Sequence, residues 1–168
     1  MEKLRLVALS VLLSFALTSV AYSFENEPDG FRGIKWGTNI KDLHDMTFSE
    51  TNKSTHDDIY ERKGDSLKIG DAKLALIGYL FYEGKFWGVS IMFEVDNFSS
   101  LKYTLIQKYG AGRKVNFSND MEWDGENVKI DIREASNKYG HIFYQYVPIL
   151  KHKLAVEKAK AKKAGSDL

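Results

Sequence analysis

The chain predicts an α+β domain: an antiparallel sheet of about five or six strands with a helix packed on one face, followed by a basic C-terminal helix. Three observations carry this. Lys73–Glu94 is the longest apolar run outside the N-terminus, rich in β-branched and aromatic residues and cut near its middle by Tyr82-Glu83-Gly84-Lys85. Phe98, Leu101, Leu105 and Tyr109 recur at helical spacing just after it. Val128, Ile130 and Ile132 alternate with Lys129, Asp131 and Arg133, the pattern of a half-buried strand. A curved half-barrel and a small closed barrel satisfy the same pattern.

Residues 1–23 have the layout of a secretory signal peptide. Lys3 and Arg5 precede an apolar run, Leu6–Val20, and Ala21-Tyr22-Ser23 supplies small residues for cleavage after Ser23 or Ala21. The run is short for a bilayer span, which takes about 20 residues, and no cysteine follows it to carry a lipid. The expected location is therefore exported.

The remaining chain divides into a single domain over 24–147 and a lysine-rich segment over 148–168. Removing Lys3, Arg5 and Glu2 from the 24 basic and 23 acidic residues leaves 22 of each. A balanced chain has no global electrostatic reason to seek nucleic acid. The absence of cysteine excludes thiol catalysis, thiol redox chemistry and cysteine-ligated zinc. The core must be held by packing alone.

In chain order, Gly30–Gly37 reads as an extended segment with Phe31, Ile34 and Trp36 turned inward. Thr38 is the expected N-cap of a short helix reaching about His44. Met46–Thr51 and Ile59–Lys68 read as strands, the second interrupted at Gly64-Asp65.

The hairpin that follows poses a choice of register, because a one-residue slip exchanges its faces. A two-residue Glu83-Gly84 loop sets Leu74, Leu76 and Leu80 beside Trp87, Val89 and Ile91. A three-residue Tyr82-Glu83-Gly84 loop sets Ala75, Ile77, Tyr79 and Phe81 beside Trp87, Val89, Ile91 and Phe93. The second gathers the largest side chains on one face and is preferred. It leaves Leu76, Leu80, Phe86 and Met92 on a half-apolar second face, which is the candidate interaction surface.

Asn97 is the expected N-cap and Gly110 the stop of the helix over about 98–109. Asp124-Gly125 signals a two-residue turn within Met121–Arg133. His141–Val147 is the last strand. Residues 148–168 hold Lys151, Lys153, Lys158, Lys160, Lys162 and Lys163 against Glu157 and Asp167, a net of +4. Leu150, Leu154, Glu157, Ala161 and Ala164 share a helical stripe. The first two turns are expected to dock and the Lys/Ala-rich end to fray into solvent. Such a basic helix offers weak, salt-sensitive contact with an anionic membrane surface.

No constellation for chemistry stands out, and neither a cofactor nor a metal is expected. His56-Asp57-Asp58 is the closest approach to a metal site, but adjacent residues on extended chain point to opposite sides. Gly-x-Ser-x-Gly and His-Glu-x-x-His do not occur. Asn52, Asn97 and Asn116 match the short glycosylation sequon. The expected role is non-catalytic: binding of a protein or envelope component, with small-molecule binding as the alternative and a small hydrolase behind both.

Phe31-Arg-Gly-Ile-Lys-Trp-Gly-Thr, Gly64-Asp65, Lys68-Ile-Gly-Asp71, Gly78-Tyr-x-Phe-Tyr-x-Gly-Lys-Phe, Leu101-Lys…Lys108-Tyr-Gly110 and a Lys/Ala-rich end closing on Asp167-Leu168 form a further pattern. Together these residues resemble a family of small, uncharacterised exported proteins of Gram-negative bacteria. The resemblance spans nearly the whole chain after residue 23. It implies a bacterial source and a periplasmic location, and no activity or site residue.

Overall fold

Two four-stranded antiparallel meanders, each followed by a helix, make up most of the molecule. The computed structural model describes residues 24–165; the expected signal peptide lies outside them. The first meander holds β3 (Met46–Asn52), β4 (Asp57–Arg62), β6 (Ala72–Tyr82) and β7 (Lys85–Glu94), and leads into α1 (Phe98–Tyr109). The second holds β8 (Arg113–Lys114), β9 (Met121–Asp124), β10 (Val128–Glu134) and β11 (Tyr139–Tyr146), and leads into α2 (Val147–Gly165). The last strands of the two meanders, β7 and β11, pair antiparallel, giving the order β3-β4-β6-β7-β11-β10-β9-β8. The short β5 (Lys68–Ile69) pairs with β6 and completes a nine-stranded sheet. A separate two-stranded ribbon, β1 (Gly30–Phe31) with β2 (Ile34–Lys35), precedes it.

The class is α+β, as the alternation of apolar periods predicts. The sheet is wider than five or six strands because short segments at 68–69 and 113–114 pair with their neighbours, and because the run at 57–69 divides into β4 and β5. Its order begins at β3 and ends at β8, so it is open and not a closed barrel.

One face of the sheet carries the main core. Ile77, Tyr79, Phe81, Phe86, Val89, Ile91 and Phe93 from the central hairpin meet Val128, Ile130, Ile132, Ile142 and Tyr144 from the second meander. α1 covers this face with Phe98, Leu101, Leu105 and Tyr109, the four residues of the predicted stripe. The helix ends where expected: Gly110 takes φ 79° and its N–H caps the Ile106 carbonyl. Its start differs, because a 3₁₀ turn over Val95–Asn97 precedes it and the Asn97 side chain makes no capping bond.

The N-terminal ribbon closes the other end of the core. Phe31 and Ile34 are buried, and Trp36 stacks on Phe86 at 4.9 Å. Arg32 bridges outward, donating to Asp65 Oδ1 at 2.5 Å and to the Lys68 carbonyl at 2.9 Å, while the Tyr79 hydroxyl donates to Asp65 Oδ2 at 2.6 Å. The short helix after it is a 3₁₀ turn, Ile40–Asp42. Its cap is Asn39 in place of Thr38, with Asn39 Oδ1 accepting from the Lys41 N–H at 3.0 Å.

The Asp124-Gly125 turn is longer than two residues. Lys129 pairs with Asp124, so four residues close the hairpin. Glu27, a hundred residues away in sequence, accepts from the Asn127 and Val128 N–H groups at 2.6 and 2.5 Å. A distant carboxylate thus satisfies donors that a tight turn would have paired locally.

A groove between the sheet and the C-terminal helix

The central hairpin combines features of both registers open to the sequence. Its tip is a two-residue turn with Tyr82 opposite Lys85, and Glu83 and Gly84 take φ of 50° and 75°, as a type I′ turn requires. Phe81 therefore faces Phe86. One step further the ladder slips: Leu80 pairs with Gly88, leaving Trp87 as the extra residue of a β-bulge. Beyond the bulge Tyr79 faces Val89 and Ile77 faces Ile91, so these four share a face, as the longer loop predicts, although the individual pairs are shifted by two residues. A second slip at Ala75 returns Leu74 to the core.

The bulge exchanges two aromatic residues between faces. Phe86, expected on the second face, is fully buried in the main core among Trp36, Tyr79 and Phe81. Trp87, expected in the core, stands on the second face with Leu80 and Tyr82. Gly88 permits this: a Cβ there would lie 2.9 Å from the Tyr144 carbonyl oxygen and 3.3 Å from Phe143 Cε2.

α2 docks on that second face through its first two turns. Ile149 and Leu150 pack on Leu80, Tyr82 and Trp87. Lys153 is buried, where a solvated lysine was expected. Val147, Leu150 and Lys153 form the inner stripe, so Leu154 is turned out and 60 % exposed. Lys151, Lys158, Lys160, Lys162 and Lys163 are exposed, and the helix continues through Gly165. Lys160 Nζ bonds Glu157 Oε1 at 3.0 Å, which holds the Glu157 carboxyl below its ordinary range. His152 Nε2 lies 3.6 Å from Glu83 Oε2, at the hairpin tip.

Lys153 reaches Asp57, the first residue of β4 and a buried one. Trp87 Nε1–H donates to the same carboxylate oxygen at 2.9 Å. The ammonium lies 4.0 Å from the Trp87 ring centroid and 4.8 Å from that of Tyr82. Burial and the Glu83 carboxylate push the Tyr82 phenol up. The His56-Asp57-Asp58 run diverges, as adjacent residues on extended chain do, but it is not all solvated: His56 is exposed at φ 56°, Asp57 is buried, and Asp58 accepts from Thr51 Oγ1 at 2.6 Å. Among the described residues no group of three His, Cys, Asp or Glu is placed to hold a metal.

Because α2 covers only one end of the face, an open groove of about 740 Å³ remains beside it. Leu76, Gly78 and Met92 form the floor, Leu154 and Glu157 one wall, and Trp87 with Lys153 the closed end. Leu76 and Met92 are 41 % and 40 % exposed. Of the candidate surface, Leu76 and Met92 thus lie open together, Leu80 is buried below α2, and Phe86 belongs to the opposite face.

The flank toward β10 is ionic. His141 Nε2 is 3.4 Å from Asp131 Oδ1, Arg133 Nε is 2.9 Å from the same oxygen, and Arg113 pairs with Glu122. Asp57 and Leu154 were not legible as site residues, and Trp87, an aromatic that the sequence offers for small-molecule binding, was expected on the core face. The one sequence signal for Trp87 was Gly88 beside it, since an interior strand glycine often marks a bulge. Among the described residues no helix is long and apolar enough to cross a membrane. No family model, curated protein or solved structure matches the chain.

Proposed function

We propose that the protein is a non-catalytic binding domain of the bacterial periplasm, and that its ligand site is the groove between α2 and the second face of the sheet. One observation carries the reading: an open, largely apolar groove of about 740 Å³ floored by the exposed Leu76 and Met92. Its size falls within the range of about 300–1,000 Å³ typical of small-molecule sites. The chemistry of the lining favours binding over catalysis. Asp57 is engaged by Lys153 and Trp87, and His141 is turned toward Asp131. The signal-peptide pattern at 1–23 supports export, and the family resemblance supports a Gram-negative periplasm. The ligand is then a small molecule or the apolar segment of an envelope component.

The test uses the exported chain and the neutral fluorophore N-phenyl-1-naphthylamine. The expected result is saturable fluorescence enhancement that Leu76→Asp and Met92→Asp each abolish. Both sites are solvent-facing, so thermal stability should be retained. No enhancement with the wild-type chain, or undiminished enhancement in both variants, would refute the assignment.

A further inference from the structure

The end of the groove at Trp87 is filled by an ammonium ion, that of Lys153. Its walls are the Trp87 and Tyr82 rings and the Asp57 carboxylate, contributed by β7, β6 and β4. Aromatic faces attract cations through their quadrupole, and a carboxylate adds a charge-assisted hydrogen bond. The Trp87 Nε1–H bond to Asp57 at 2.9 Å locks the two main walls together. The sheet supplies every wall, whereas α2 supplies only the guest, the Lys153 ammonium. Lys153 and Val147 are the only buried residues of α2.

The rest of the lining has the sign of a cation site. Glu50, Asp57, Glu61 and Glu157 stand against Lys153, a net of −3. An anionic ligand would meet these carboxylates, and among the described lining residues the one Lys or Arg, Lys153, is already held by Asp57. An apolar chain with a cationic head would satisfy floor and rim together.

From this we infer that the groove takes an alkylammonium amphiphile, whose head enters the Trp87–Tyr82–Asp57 cage in exchange for Lys153 and whose chain lies along Leu76 and Met92. The inference rests on the groove being the ligand site and names the ligand's chemistry. Lys153 is a tethered competitor, present at the millimolar effective concentration typical of short tethers. It sets a threshold that weak ammonium ions do not pass. Displacing it also withdraws the last buried residue of α2 from the sheet.

The experiment is calorimetric titration of the wild-type chain, Lys153→Ala and Lys153→Ala/Asp57→Asn with octylammonium, octanol and octanoate. These probes share a chain and differ in the charge of the head. Lys153→Ala should bind octylammonium about tenfold or more tighter than the wild type does, and tighter than it binds octanol by a similar factor. The added Asp57→Asn should remove that preference. Equal binding of octylammonium and octanol by Lys153→Ala would overturn the cage while leaving the groove as a site for apolar chains. Equal octylammonium affinity in wild type and Lys153→Ala would place the head on the rim carboxylates and overturn the exchange. Failure of all three probes to bind any variant would overturn the groove itself. Should Lys153→Ala lose folded structure, propylammonium, which replaces the deleted atoms, should restore its circular dichroism where propanol does not; no restoration would refute the cage.

Discussion

Replacing Lys153 by Met keeps most of the side-chain stem and removes the charge, which isolates the contribution of the buried pair. The side chains of Lys153 and Asp57 are only 10 % and 2 % exposed. Without its partner the carboxylate remains in a site closed by Trp87 and Tyr82, with the Trp87 indole N–H still donating to it. Removing one member of a buried pair costs about 3–5 kcal/mol. For a chain of this size that lowers Tm by roughly 10 °C, at about 2–4 °C per kcal/mol. Adding Asp57→Leu removes the stranded charge and leaves an unpaired indole N–H, which costs about 1–3 kcal/mol. The double variant should therefore be more stable than Lys153→Met alone, although it carries more substitutions. Equilibrium unfolding in guanidinium chloride, followed by tryptophan fluorescence, measures all three. A Lys153→Met chain within about 1 kcal/mol of wild type, or a double variant less stable than the single, would refute the claim that this pair is buried and mutually compensating.

Two other consequences are open to direct measurement. Burial and the hydrogen bond to Asp65 push the Tyr79 phenol up, and burial does the same for Tyr144. A phenol whose folded pKa lies above its unfolded value of about 10 contributes stability that is complete below that pH and is lost as pH rises toward the folded value. Tm should thus fall above about pH 10, and more shallowly in Tyr79→Phe; parallel profiles would remove Tyr79 as a cause. Gly88→Ala should destabilise by about 1–3 kcal/mol through overpacking, since its Cβ would press on the Tyr144 carbonyl at 2.9 Å. A neutral result in thermal unfolding would show that the bulge accommodates a side chain.

Elements organised by neighbours in sequence were legible from the chain alone. The α1 stripe of Phe98, Leu101, Leu105 and Tyr109 follows from the 3.6-residue period, and Gly110 ends it because glycine adopts φ 79° without a Cβ clash. The outward Lys129, Asp131 and Arg133 follow from the two-residue period of β10. Leu76 and Met92 were placed correctly on the second face for the same reason, because they pair in the stretch between the two slips, where alternation holds. Turns were less secure, because Asp124-Gly125 is widened by Glu27 and the helix expected at Thr38 tightens to a single 3₁₀ turn.

What the chain could not show in advance was every feature set by partners far away in sequence. The faces of Phe86 and Trp87 depend on a bulge, and a bulge is chosen by what the neighbouring strands and layers have room for: Trp36 and Tyr79 on one side, Asp57 and Lys153 on the other. The Asp57–Lys153 pair joins residues 96 apart, and in a lysine-rich segment nothing local separates Lys153 from the exposed lysines around it. Local periodicity decides which side chains share a face of one element. Only packing between layers decides which face is covered, and how much of it stays open as a groove.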